Sequence, residues 1–418
     1  MFDLAALTAS FGGLLWTLVF FIVALSIIVF IHEYGHYIVG RWSGIKAEVF
    51  SIGFGPILFG RTDKHGTYWQ VAALPLGGYV KFKGDANAAS APDVETVREL
   101  TPAERRETIH GAPLWARAAT AAAGPVSNFI FTIIMFTALF MVQGQFSDEL
   151  KIEKLPDFPT EYTIAEGDEI IAIDGQSVSS FASFRQVAVG LAVQNPVAYS
   201  VERDGAVIDV TGPYPYPAMA ASVNPQSGAL AAGMKAGDVI ETVNGEAVFA
   251  FTQLQEIVAQ TEGEPLTLGI WRAGERLALT IQPRYSPTPG PDGTLVQRWL
   301  IGISLGHFFE PPTTDVTIGL AFTAALDRTW SIITTSLQSM RDMIVGRISA
   351  CNLSGPVTIA ETSGQVAAMG TITFLGFIAV LSTAIGLMNL FPIPMLDGGH
   401  LVFYAYEAIS GRPPSEGA

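Results

Sequence analysis

The chain has 418 residues, 49% of them hydrophobic and only 15% charged, with a formal net charge of −15. So little charge is low for a soluble protein and implies membrane segments among two or three domains, while the acidic balance argues against nucleic acid as a partner. The lone cysteine, Cys351, excludes an internal disulfide framework and a multi-cysteine zinc site, and reads as a packing residue.

Residues 14–31 carry no charge and are long enough to span a bilayer as a helix, the first span of a segment covering 1–40. They lack the basic start and small-residue cleavage site of a signal peptide, and they run directly into His32-Glu33-Tyr34-Gly35-His36. On a helix, positions i and i+4 share a face, so His32 and His36 can hold one Zn²⁺ per chain while Glu33 points at its bound water. From the composition, roughly 0.008 such H-[DE]-x-x-H patterns are expected by chance. Two histidines merely capping a spanning helix would be ionisable groups at membrane depth without a function, which is costly.

Residues 41–117 hold Arg41, Lys46, Arg61, Lys64, Lys81, Lys83, Arg98, Arg105, Arg106 and Arg117, whereas residues 1–13 have no Lys or Arg. The positive-inside rule puts the N-terminus outside and this region in the cytoplasm. At about 1.5 Å per residue, His32 then lies about 27 Å along the helix from Leu14, near the cytoplasmic edge of a ~30 Å core and open to water. Residues 48–60 and 67–82 mix β-formers with glycines and predict hairpins apolar enough to dip into the membrane, where irregular backbone must line protein or a wet cavity. Gly53 and Gly55 are candidate substrate contacts there, or permit turns only, as Gly77 and Gly78 do. An interfacial helix is expected within 85–117, and His65, His110 and His307 are expected at the surface.

A second uncharged span covers 118–142 and contains Gly124-Pro125-Val126-Ser127-Asn128. Beyond it the chain is outside again. Residues 167–176 (GDEIIAIDGQ) are echoed at 237–246 (GDVIETVNGE), each a strand entering an Asp-Gly or Asn-Gly turn. The run before the second copy, 227–238, resembles the most recognisable stretch of PDZ domains in bacterial proteases, so 143–212 and 213–288 read as two PDZ-like α+β domains, the first diverged. Strand addition of an extended peptide is their expected binding mode; modules that only restrict access are the alternative. Residues 289–363 read as a linker, with an amphipathic segment at 317–348 suited to the outer bilayer surface.

The third span, 364–400, is uncharged up to Asn389-Leu390-Phe391-Pro392-Ile393-Pro394-Met395-Leu396-Asp397-Gly398-Gly399-His400. Prolines and glycines break the helix around one carboxylate, and an isolated aspartate there needs a partner such as Zn²⁺. Two histidines and a carboxylate leave one tetrahedral position for water, as a catalytic zinc site needs. His400 is a candidate to support these ligands, or a turn histidine.

H-E-x-x-H in the first span, L-D-G late in another and PDZ-like copies between them resemble the site-2 protease family of intramembrane zinc metalloproteases, in its Gram-negative branch of regulator of sigma-E protease type. The resemblance covers nearly the whole chain. It implies His32, His36 and Asp397 as zinc ligands, Glu33 as general base, Asn389 as a residue holding the substrate backbone, Asn128 as part of the family's G-P-x-x-N, and 48–82 as a membrane-reentrant β region. It also implies an inner-membrane location, with substrates that are single-span proteins trimmed outside, such as an anti-sigma factor in envelope stress, and remnant signal peptides. Members of this branch carry a fourth span after L-D-G, whereas 401–418 reads as a short tail containing Glu407. The expected fold is a polytopic α-helical membrane protein with three spans, membrane-associated β-hairpins and two extracytoplasmic PDZ-like domains. Two competing classes are a catalytically silent adaptor presenting its domains to periplasmic partners, which has no need of three ligands and a base, and a peptidase facing solvent, which would not place its third ligand in an apolar span.

Overall fold

The computed structural model describes residues 4–86, 100–290, 295–347 and 355–412. Cys351 lies outside these, as does the 87–99 part of the expected interfacial helix. An apolar chain satisfies its backbone internally by forming long helices, and the first, α1 (Leu4–Trp42), carries the histidine motif near its end. Strands β1 (Ala47–Thr62) and β2 (Tyr68–Phe82) then pair antiparallel. Both bend, so that Ser51 pairs with Tyr79 on one side and Gln70 on the other. The segments lie in the order 57–62, 68–72, 47–52, 78–82, which makes 78–82 an outer strand. Gly53 and Gly55, at φ +88° and +86°, make the bend of β1, where a Cβ at Gly53 would meet the Leu74 carbonyl at 2.8 Å. Tyr37, Phe50, Val80, Phe82 and Ile109 pack this sheet onto α1. The turn is tied by Asp63, whose carboxylate accepts from Tyr37, Trp69 and the backbone N–H groups of His65 and Thr67. A five-residue helix, α2 (Pro102–Arg106), precedes α3 (Leu114–Gln143).

Residues Gln143–Val316 form a separate unit. After β3 (Gln145–Phe146), its first module consists of β4 (Glu169–Ile173), β5 (Gln176–Ser177), α4 (Phe181–Gly190), β6 (Val197–Arg203) and β7 (Ala206–Gly212), in sheet order β5-β4-β6-β7. The second, led by β8 (Ser222–Val223) and α5 (Gly228–Ala231), repeats that order with β9 (Val239–Val243), β10 (Glu246–Ala247), α6 (Phe251–Gln260), β11 (Leu266–Arg272) and β12 (Glu275–Ile281). In each, two residues with positive φ, Asp174-Gly175 or Asn244-Gly245, reverse the chain, as a type I′ turn requires. In each, a fully buried aspartate receives a forked arginine: Asp168 from Arg203 at 2.6 and 2.7 Å, Asp238 from Arg272 at 2.6 and 2.6 Å. Strands β13 (Arg284–Pro289), β14 (Leu295–Leu300), β15 (Ile303–Ser304) and β16 (Thr313–Thr314) complete the unit. They correct a boundary: the chain beyond 288 is not only a linker, since Phe308 and Phe309 return to fill the core of the first module. His307 goes with them and is half-buried, with ring centroids 4.8 and 5.2 Å from those of Phe181 and Tyr216. Burial pushes its imidazole below the usual range, with the charge of Arg185 adding to the effect.

Among the described residues four helices follow: α7 (Ile318–Ile344), α8 (Pro356–Ala368), α9 (Thr371–Asn389) and α10 (Asp397–Ser410). They rejoin residues 1–142 in one unit. The 364–400 stretch is therefore not one span. Gly370, at φ +122°, separates α8 from α9, and Pro392 and Pro394 lie in the break before α10. Among the described residues three helices are long and apolar enough to cross a membrane: Gly13–Trp42, Leu114–Gln143 and Thr371–Asn389. Small polar groups join α3 to α9, with Thr132 Oγ1 donating to the Ala379 carbonyl at 3.0 Å and Ser382 Oγ to the Asn128 carbonyl at 3.2 Å. α8 docks on α1 through Trp16 Nε1, which donates to the Gly364 carbonyl at 3.1 Å.

Candidate metal centre

His32 and His36 lie one turn apart on α1, so both imidazoles face the same way. Asp397 reaches them as the first residue of α10. Gly398 allows the preceding break to fold back closely, because a Cβ there would lie 2.3 Å from the carbonyl oxygens of Leu390 and Phe391. His32 Nε2 is 3.2 Å from His36 Nε2 and 3.1 Å from Asp397 Oδ2, and His36 Nε2 is 3.4 Å from Asp397 Oδ1. Among the described residues this is the one group of His, Cys, Asp and Glu side chains whose donor atoms converge like metal ligands.

Zinc fits these residues. Ligands about 2.1 Å from a tetrahedral zinc are separated by about 3.4 Å, close to the three distances found. Asp397 Oδ2 is buried and makes no hydrogen bond despite its proximity to His32, so it is aimed at a shared centre rather than at a neighbour.

The outward nitrogens face α3. His36 Nδ1 is 2.8 Å from the Thr120 carbonyl, and His32 Nδ1 is 3.3 Å from the Asn128 carboxamide. Between them Gly124 brings α3 against both rings. Thr120, Gly124 and Asn128 are spaced i, i+4, i+8. That spacing was visible in the chain, but which helix face it would meet was not.

A cavity of about 640 Å³ opens on this centre, lined by His32, Glu33 and His36, by Gly78, Tyr79 and Val80 of the outer strand, and by Asn389 and His400. Gly78 lets that strand run close to α1, since a Cβ there would be 3.4 Å from Glu33 Cγ and 2.7 Å from the Ser51 carbonyl. Gly53 and Gly55 are not among the lining residues. Asn389 Nδ2 donates to the Ile385 carbonyl at 3.0 Å, and the ring of His400 stacks toward Tyr404 at 6.5 Å. At the far end Arg117 of α3 forks onto Glu407 of α10 at 2.6 and 3.1 Å and lies over the Tyr404 ring. In the sequence Arg117 stands out only as one of the basic residues of 41–117. Nothing local pairs it with a residue 290 positions away.

Two histidines and a carboxylate around one centre, beside a glutamate, on a helix able to span a bilayer, define an intramembrane zinc protease. Residues 20–418 match peptidase family M50. A relative from Agrobacterium fabrum, named as a candidate zinc metalloprotease, is 37% identical over 98% of this chain and 91% of its own length. The regulator of sigma-E protease RseP of Salmonella typhimurium is 32% identical over 97% of this chain and 93% of its own. The chain belongs to peptidase family M50, in the site-2 protease group of sigma-E regulator type, and is a zinc metalloendopeptidase with one zinc site.

Proposed function

We propose that this enzyme hydrolyses peptide bonds inside the membrane-spanning segments of single-span proteins already trimmed on their outer side. The observation that carries this reading is the position of Glu33 between two ligands on the apolar helix Gly13–Trp42, facing a cavity bordered by an outer β-strand. A spanning helix hides its peptide bonds in its own hydrogen bonds, so a substrate must be unwound and its freed groups paired. The edge at 78–82 offers such pairing as an added strand, and the Asn389 amide offers a further donor. Zinc held by His32, His36 and Asp397 would lower the pKa of water to about 7 and polarise the scissile carbonyl. Glu33 takes the proton of the attacking water and hands it to the leaving amine.

The duplicated modules read as PDZ-like domains outside the inner membrane, with the N-terminus on that side, contacting periplasmic segments and excluding untrimmed proteins. An anti-sigma factor is the proposed substrate class, in keeping with the regulation of sigma-E for which the Salmonella relative is named, with remnant signal peptides a second. The test is cleavage of a tagged single-span protein, intact or pre-trimmed, by the reconstituted wild type and Glu33→Gln, with zinc quantified in both. Expected are cleavage of the trimmed form only, and equal zinc with a rate about 10²–10⁴-fold lower in Glu33→Gln. Equal cleavage of both forms would remove the filter, activity of Glu33→Gln would remove its role as base, and zinc without cleavage in the wild type would favour the adaptor.

A further inference from the structure

His32 turns Nε2 toward His36 and Asp397, so that nitrogen must keep a free electron pair for the metal. A neutral imidazole then carries its proton on Nδ1. Facing Nδ1 is the side chain of Asn128, fully buried, with Nδ2 at 3.3 Å and with Oδ1 left without any hydrogen-bond partner. Donor against donor makes no bond. The two ends of a carboxamide have the same shape, and turning it gives Oδ1 the donor it lacks.

We propose that Asn128 is a positioning residue of the metal centre, its Oδ1 accepting the Nδ1–H of His32 and thereby fixing the tautomer and ring orientation that present Nε2 to zinc. Two independent observations support this. His36 is held in the same manner by the same face of α3, its Nδ1–H donating to the Thr120 carbonyl at 2.8 Å. The hydrogen bond between Asn128 and α9, moreover, is made by its main-chain carbonyl, which accepts from Ser382 Oγ, so the polar end of the carboxamide is left for the histidine. This role holds whichever peptide is cut.

The experiment is zinc affinity of the purified full chain by chelator competition, with thermal unfolding of the zinc-free protein measured in parallel. Asn128→Leu, similar in size but without an acceptor, is expected to bind zinc 10- to 100-fold more weakly. Asn128→Asp, which keeps an acceptor, should stay within about threefold of wild type. Wild-type zinc affinity in Asn128→Leu, with only its unfolding temperature lowered, would overturn the proposal in favour of helix packing. Should Asn128→Leu fail to fold, Asn128→Asp decides alone, since a tenfold loss of zinc in that variant also overturns it.

Discussion

A methyl group at position 124 would lie 2.3 Å from His36 Nε2 and 2.8 Å from His32 Cε1. Both are ring atoms of metal ligands, anchored from behind by α3 itself, so neither can give way without leaving the centre. Gly124→Ala is therefore expected to weaken zinc by at least about tenfold, read by chelator competition. Alanine otherwise favours a helix over glycine by about 1 kcal/mol, so general destabilisation is not the expected cause. A variant that unfolds no earlier than wild type without zinc yet binds zinc poorly would establish the steric account, and unchanged zinc affinity would refute it.

Among the elements, α10 bears on the chemistry through its first residue, a ligand, and Arg117 clasps its other end. The pair is 16% and 19% exposed, so removing one partner leaves a shielded charge alone, at a cost of about 3 kcal/mol. Glu407→Gln should lower thermal stability and zinc affinity together, and the exchange Arg117→Glu with Glu407→Arg should recover part of both. Failure of the exchange to recover either would mean that the Tyr404 stacking or the Arg117 bond to the Ala112 carbonyl is what matters. In the other unit, His307 is held neutral by burial, with a pKa below that of the unfolded chain. The unfolded chain then binds a proton that the native one does not, so the contribution is fully present above about pH 6.5 and is lost as pH falls toward and through the folded value. Hydrogen exchange of 303–310 in the intact chain, corrected for intrinsic rates, should show protection falling between pH 7 and 5 in wild type but not in His307→Phe. Equal slopes would assign the dependence elsewhere.

Across the molecule, what was legible in the chain was local. The spacing of His32, Glu33 and His36 encodes a helix face, the Pro-rich break around Asp397 marks a carboxylate needing a partner, and the repeated Gly-Asp and Asp-Gly or Asn-Gly pairs announce a duplication. What was not legible depends on partners distant in sequence. The uncharged run 364–396 does not register the break between helices at Gly370. The carboxamide of Asn128 reads from sequence as a helix–helix hydrogen-bonding group until His32 is seen beside it, and Phe308 carries no periodicity pointing back to a module that ended near 212. That return of Phe308 bears on how the protein is made. Ile301 completes the core of the second module and Phe308 that of the first, so as the chain is synthesised both must wait for nearly the same stretch. The first module is thus the longer in waiting, exposed and unfinished while its successor is translated, and the two reach their final form together, as a pair rather than in sequence.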